Sequence, residues 1–113
     1  MKTTSKVRVS IRIGKARRIL SVGTERTRRK LIVQLEEVFH IASDCARGKI
    51  DRVTVEDGKK RPLTIVERQH WARIAAYTVQ IINNIAEGID ERQINLDIDK
   101  LEDLLNKKAA VGP

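Results

Sequence analysis

Residues 64–88, TIVERQHWARIAAYTVQIINNIAEG, carry the clearest helical signals of the chain and decide its fold class. Thr64 followed three residues later by Glu67 is a capping box, so we expect a helix to begin at the residue after Thr64. Apolar residues occupy more than one face of its second half, and Gly88 is a typical C-terminal stop. We therefore predict a central helix over residues 65–87 that is covered by neighbours on at least two sides.

Another helix is predicted over residues 25–47, upstream of this stretch. Its apolar residues recur at spacings of four and three and are Leu31, Leu35, Val38, Ala42 and Cys45. Gly48 follows as a C-terminal stop, with Arg47 in the last turn, where a cation opposes the helix dipole. This helix is expected to pack against the others through its apolar stripe.

A short β-hairpin is predicted between these two helices. Asp57-Gly58 separates two short extended runs and is typical of a type I′ turn, which places strands near residues 51–56 and 59–63. Beyond Gly88 we predict a helix over residues 99–108. Residues 91–98 have helical spacing but also alternate like a strand, so both conformations stay open for them.

The N-terminal residues have a different pattern. From Lys6 to Ile13 basic or polar side chains alternate with β-branched ones, which predicts a strand over residues 6–13. A lone strand is unstable in water, so this segment must pair, remain disordered or order on binding. A short hairpin with residues 18–22 and an organelle transit peptide are the alternatives for the N-terminus.

The fold class expected from these elements is mainly α, a three-helix bundle with a small β-hairpin between the first two helices and a basic N-terminal extension. The expected divisions are an extension over residues 1–23, strand-forming or disordered, a helical domain over 24–108 and a tail over 109–113.

Composition narrows the class of protein. The chain has 113 residues, 23 Lys and Arg against 15 Asp and Glu, and a formal charge of +8. That length fits one domain, and no apolar run is long enough to span a membrane. A single Cys excludes an internal disulfide, and no secretory signal is evident, so we expect a cytoplasmic protein. High Ile, Lys and Arg with few Gln and Asn is typical of heat-adapted proteins.

The charge is unevenly distributed along the chain. Residues 1–23 carry seven bases and no acid, whereas residues 24–113 carry 16 bases and 15 acids. Residues 87–105 hold seven acids and two bases. The sequence therefore predicts a molecule with a basic end and an acidic end, as expected of an adaptor between phosphate and a protein surface.

Motifs for metal binding or catalysis are not found. His40, His70 and Cys45 lack the spacing of a zinc site, and we expect His40 at a helix flank, His70 on an exposed turn and Cys45 in the core. Asp97, Asp99 and Asp103 lack the glycine and glutamate of a calcium loop, so a solvated acidic face is expected for them. We expect no cofactor, no metal and no enzymatic activity.

Clusters of Lys and Arg are the remaining functional signal, because they are the electrostatic footprint of nucleic-acid binding. The predicted phosphate-binding residues are Lys6, Arg8, Arg12, Lys15, Arg17, Arg18, Arg26, Arg28, Arg29, Lys30, Lys59, Lys60 and Arg61. Few aromatic residues accompany them, so binding to the backbone with weak sequence specificity is expected. The alternative is that these charges only keep the protein soluble.

Residues 28–39 (RRKLIVQLEEVF), 67–77 (ERQHWARIAAY) and 88–93 (GIDERQ) resemble small helical proteins of heat-loving archaea, among them the small accessory subunits of archaeal family B DNA polymerase. The resemblance is one of size, charge and helical character over residues 24–108. It implies an accessory role in DNA replication with a protein partner such as a DNA polymerase, and it transfers no individual functional residue.

We therefore expect a non-enzymatic accessory protein that contacts nucleic acid, DNA more than RNA, and a protein partner. The alternative function is a structural protein–protein interaction module, a homodimer or a subunit of a hetero-complex, without direct nucleic-acid binding.

Overall fold

A computed structural model of the protein describes residues 4–20, 25–49, 52–54, 60–88 and 90–107. These residues are mainly helical and form, in order, α1 Ser5–Leu20, α2 Glu25–Arg47, β1 Arg52–Thr54, β2 Lys60–Pro62, α3 Ile65–Ala86 and α4 Glu91–Asn106. No described helix is long and apolar enough to span a membrane. The mainly α class is confirmed. A three-helix bundle is not, because a fourth helix, α1, is present.

The four helices pack in a closed ring, since consecutive helices contact one another and α1 also contacts α4. Neighbours run antiparallel: Arg68 near the start of α3 lies beside Ala46 at the end of α2, and Arg28 near the start of α2 lies beside Gly88 after α3. The side-chain contacts of the other neighbouring pairs have the same sense. This arrangement is an up-down-up-down helical bundle.

The ends of α2 and α3 agree with the sequence. Thr64 and Glu67 form the predicted capping box, in which each side chain accepts a hydrogen bond from the other residue's backbone N–H. Gly48 and Gly88 follow α2 and α3 with positive φ angles of 81° and 79°, a conformation that residues with a Cβ rarely adopt.

The strand predicted over residues 6–13 is wrong, because these residues belong to α1. Val9, Ile13 and Ala16 recur at spacings of four and three, and each is fully buried. The hydroxyl of Thr4 accepts a hydrogen bond from the backbone N–H of Val7 (3.2 Å), as an N-cap does. The apolar side of α1 thus completes the core, and the residues expected to form an extension contribute one of the four packed helices.

The other elements agree with the sequence in outline. β1 and β2 form the predicted antiparallel hairpin, with Val53 opposite Arg61, and its predicted Asp57-Gly58 turn lies outside the described residues. α4 is helical through residues 91–98, for which a strand had stayed open. The predicted tail lies outside the described residues as well.

The core lies along the axis of the ring, and all four helices contribute to it. Buried apolar side chains of α1 and α2 are Val9, Ile13, Ala16, Leu31, Leu35, Val38, Ile41, Ala42 and Cys45. Those of α3 and α4 are Trp71, Ile74, Ala75, Ile81, Ile85, Ile94, Ile98, Leu101 and Leu105. This burial leaves the outward sides of the helices for interactions with other molecules.

Candidate nucleic-acid interface

The groove between α1 and α2 brings together three of the predicted phosphate-binding residues. Arg8, Arg12 and Lys15 follow one another at spacings of four and three on the side of α1 that faces α2. They line a groove of about 180 Å³ together with Ile11, Ile41 and one acidic residue, Glu37. The groove therefore carries three cations against one anion.

A hydrogen bond between the two helices positions one of these cations, Arg12. Arg12 Nη1 donates a hydrogen bond to Gln34 Oε1 across the two helices (3.1 Å). Lys30 lies one turn before Gln34 on the same side of α2 and is exposed, but it does not line the groove itself. Because α1 is anchored by buried side chains, the cations are displayed on a packed helix.

Arg17 belongs to a different side of α1. Its guanidinium group forms ion pairs with Asp99 (2.6 Å) and Glu102 (3.2 Å) of α4. Those carboxylates come from the acidic region that was predicted at the opposite end of the molecule. The prediction of separate basic and acidic ends is wrong, because the closed ring places the acidic α4 directly against the basic α1.

Arg61 is also engaged within the chain. Its guanidinium group forms a bidentate ion pair with the carboxylate of Glu67, with distances of 2.5 and 2.9 Å. This pair, together with hydrogen bonds from Thr64, lowers the pKa of Glu67 to about 2. Arg61 is thus occupied with supporting the start of α3.

The remaining predicted residues are dispersed. The partly buried Arg28 places Nη1 against Gly88 on the α2–α3 side. Three others are exposed, namely Lys6, Arg18 and Arg29. Lys6 lies close enough to His70 of α3 to help lower its pKa. The side chains of Arg26, Lys59 and Lys60 lie outside the described part of the structure. Of the predicted residues, the groove is therefore lined by Arg8, Arg12 and Lys15.

Aromatic side chains lie away from the groove. Trp71 is buried in the core, Phe39 is half-buried on α2 with its ring 5.8 Å from the ring of His40, and Tyr77 faces α4. A protein that binds unpaired bases usually stacks them on such rings. The groove is therefore suited to contact phosphates.

The three residues considered for metal or nucleophilic chemistry are far from forming such a site. Cys45 is buried as predicted, and burial raises the pKa of its thiol. His70 is half-buried within α3 instead of lying on an exposed turn, and its pKa is lowered, chiefly by burial. In the described ranges no three His, Cys, Asp or Glu side chains are grouped so that they could hold a metal ion.

Asp97 is a second polar residue, after His70, whose position the sequence predicted wrongly. It was expected on a solvated acidic face, yet it is only 6% exposed and faces α3. The signal was its position, three residues after the buried Ile94 and four before the buried Leu101, which puts it on the apolar stripe of α4.

Comparison of the chain with protein-family models, curated proteins and solved structures finds no match.

Proposed function

We propose that this protein is a non-enzymatic accessory protein that binds the phosphate backbone of nucleic acid through the groove between α1 and α2. The observation that carries the proposal is the alignment of Arg8, Arg12 and Lys15 in one groove with a single acid, Glu37. Cations arranged along a helix neutralise successive phosphates and release the counterions condensed on them, which drives binding without reading the sequence.

Double-stranded DNA is the ligand favoured by this surface. Duplex DNA has a higher charge density than a single strand, and a protein can bind its phosphates without stacking against its bases. The groove has cations but no described aromatic ring, which supports the duplex over unpaired strands. Binding is expected to be weakly sequence-specific.

The wider role that we propose is that of a small subunit that supports a DNA replication complex in the cytoplasm of a heat-adapted archaeon. This part rests on the resemblance to small accessory subunits of archaeal family B DNA polymerase and on composition. A protein partner such as a DNA polymerase would bind away from the groove. The exposed acids of α4, among them Asp103, offer a surface for a basic partner.

A structural interaction module without nucleic-acid binding is the second candidate function. The observation that favours it is Ile65, which is 73% exposed at the start of α3. Together with Ala46 and Ala72 it borders a shallow apolar depression on the α2–α3 side. Such a surface is suited to a second copy of the chain or to another protein.

The proposal is tested by fluorescence anisotropy with a labelled DNA duplex over a range of salt concentrations. The triple variant Arg8→Gln/Arg12→Gln/Lys15→Gln should bind at least about tenfold more weakly at low salt. For this variant the slope of log Kd against the logarithm of the salt concentration should decrease by about 2–3, because each lost phosphate contact removes about 0.9 from the slope.

The matched control removes three exposed cations from other surfaces, as Lys49→Gln/Arg73→Gln/Arg92→Gln. This variant has the same net charge as the groove variant and should bind nearly as the unmodified protein does. Equal weakening of both variants would refute the groove as the site. Undetectable binding by the unmodified protein at low salt, with self-association that Ile65→Glu abolishes, would support the second function instead.

A further inference from the structure

A polar cavity of about 300 Å³ lies between α3 and α4, away from the groove. Tyr77, Gln80 and Asn84 line it from α3, and Gln93, Asp97 and Lys100 line it from α4. Its volume is at the lower end of the range of small-molecule sites, which is roughly 300–1,000 Å³. Three amides, a phenol and a carboxylate therefore line one space, together with the ammonium group of Lys100.

Asp97 is the most unusual group in this cavity. The residue is only 6% exposed, and in the described part of the chain its two oxygens accept hydrogen bonds from neutral amides. Gln93 Nε2 donates to Oδ1 (3.0 Å) and Asn84 Nδ2 to Oδ2 (3.4 Å). The second distance is long for a hydrogen bond. Both oxygens thus keep capacity for a further donor.

A cation for Asp97 is not supplied by the described part of the chain. The ion pairs found there are those of Arg17 with Asp99 and Glu102 and that of Arg61 with Glu67. Lys100 borders the cavity, but it is exposed and no described contact joins it to Asp97. Burying a carboxylate is costly unless a cation or strong donors compensate, so a bound cation would stabilise this arrangement.

We propose that this cavity binds a primary ammonium group, with the carboxylate of Asp97 as its main ligand. An ammonium group has three N–H donors, which matches the acceptors that the cavity offers. Because Asn84 and Gln93 donate to Asp97 through their nitrogens, their side-chain oxygens remain as acceptors for the other donors. The ring of Tyr77 adds an aromatic wall, against which a cation is favoured.

The surroundings of the cavity favour cations in spite of the positive charge of the whole chain. Residues 87–105 hold seven acids against two bases, and α4 carries most of them. Two of these acids, Asp99 and Glu102, are paired with Arg17, and the other acids remain to attract a cation to this region. The ammonium site does not depend on the proposed nucleic-acid function, because the two surfaces share no residue.

Isothermal titration calorimetry with putrescine and with n-butylamine tests the site directly. Asp97→Asn keeps the shape of the side chain but removes its charge, and it should weaken amine binding by about tenfold or more. Asp103→Asn removes the same charge from an exposed position on the same helix, and it should change the affinity less than about twofold. Equal losses in the two variants, or no binding to the unmodified protein, would overturn the proposal.

Lys100→Met provides a second test that does not disturb Asp97. Removal of the nearby positive charge should strengthen amine binding by about twofold to fivefold, whereas Lys107→Met, one residue beyond α4, should leave it unchanged. An unchanged affinity in Lys100→Met would contradict the proposed position of the ammonium group, whether or not Asp97→Asn folds.

The ammonium group has two sources, a free amine or a lysine side chain of a protein partner. Titration with Nα-acetyl-lysine methylamide and, separately, with butylamine distinguishes these two sources. Equal affinities would show that the cavity admits a lysine side chain. A preference for butylamine would show that it accepts only free amines. Both results support the ammonium site, and failure of both ligands refutes it.

Discussion

The α1–α2 groove and the α3–α4 cavity are both formed where two antiparallel helices meet, yet they place charge in opposite environments. In the groove the cations are wholly or partly exposed, and Arg12 has one cross-helix hydrogen bond to Gln34. In the cavity a carboxylate is nearly buried and is bonded to two neutral amides.

This difference teaches that the same bundle geometry supports two kinds of recognition. Exposed cations keep their water until a polyanion replaces it, so the affinity of the groove should depend strongly on salt. A buried charge has already lost most of its water, so a single well-placed counter-charge has a large effect there. The net charge of +8 agrees with the exposed cations of the groove, but it gives no indication of the buried carboxylate in the cavity.

The largest expected effect tests whether the groove is built on a helix. Ile13→Ala should lower the free energy of unfolding by about 2–5 kcal/mol, because it removes a fully buried side chain of α1. Ile11→Ala is the control, since Ile11 is 48% exposed and its loss should cost less than about 0.5 kcal/mol. In a strand the two residues would share a face. Similar values in urea denaturation would therefore contradict the helix.

A pH dependence of stability is expected from His70 of α3, which lies close to Lys6 of α1 and to Leu104 of α4. Burial lowers its pKa below the ordinary 6.5, and the nearby cations Arg73, Lys107 and Lys6 add to this, against a hydrogen bond to the Leu104 backbone. The unfolded chain therefore binds this proton more tightly than the folded chain. As pH falls below about 6.5, the free energy of unfolding should decrease by at most about 1.4 kcal/mol per pH unit.

His70→Gln should remove this component of the pH dependence in urea denaturation between about pH 7.5 and pH 5. His40→Gln, which replaces an exposed histidine of α2, is the control and should retain it. A pH dependence that is unchanged in the His70 variant would show that His70 is not its source.

A smaller effect is expected from Arg17, which connects the helix of the groove to the helix of the cavity. Arg17→Gln removes the ion pairs with Asp99 and Glu102 and should cost about 0.2–1 kcal/mol, because these side chains are 35–52% exposed. The loss should shrink as salt is added. A loss that is constant up to high salt in denaturation experiments would exclude ion pairing as its cause.

The smallest effect concerns the charge inside the cavity. The pKa of Tyr77 is raised above 10, first by burial and second by the charge of Asp97. Asp97→Asn should therefore move the pKa of Tyr77 partway back toward 10 in an ultraviolet absorbance titration. Asp103→Asn should leave the titration unchanged, and a shift of equal size in both variants would argue against a specific Asp97 effect.

Much of the fold is predictable because the ends of α2 and α3 are marked by local sequence signals. Caps and glycine stops depend on neighbouring residues alone, and both were found at the expected positions. α1 was missed because β-branched residues at every second position satisfy a strand as well as a helix. Packing against α2 and α4 decided between the two, and that information is not in the local pattern.

The candidate sites were less predictable than the fold. Sequence identified the basic residues but not which of them share a surface: Arg17 pairs with α4 and Arg61 with Glu67, whereas Arg8, Arg12 and Lys15 line one groove. The partners of Arg17 lie far along the chain, and the pairing of Arg61 with Glu67 depends on the geometry of the turn between them. The cavity required the register between α3 and α4, which hydrophobic spacing alone does not supply.

The closed ring has a consequence for the way the chain is made. Among the four helices α1 is synthesised first and α4 last, although the two lie side by side. Ribosomes add roughly 5–20 residues per second, so the α4-facing side of α1 waits on the order of seconds for its partner. The α1–α2 hairpin should form first on the nascent chain, and the native bundle should be completed only when the helix that carries Asp97 has been made.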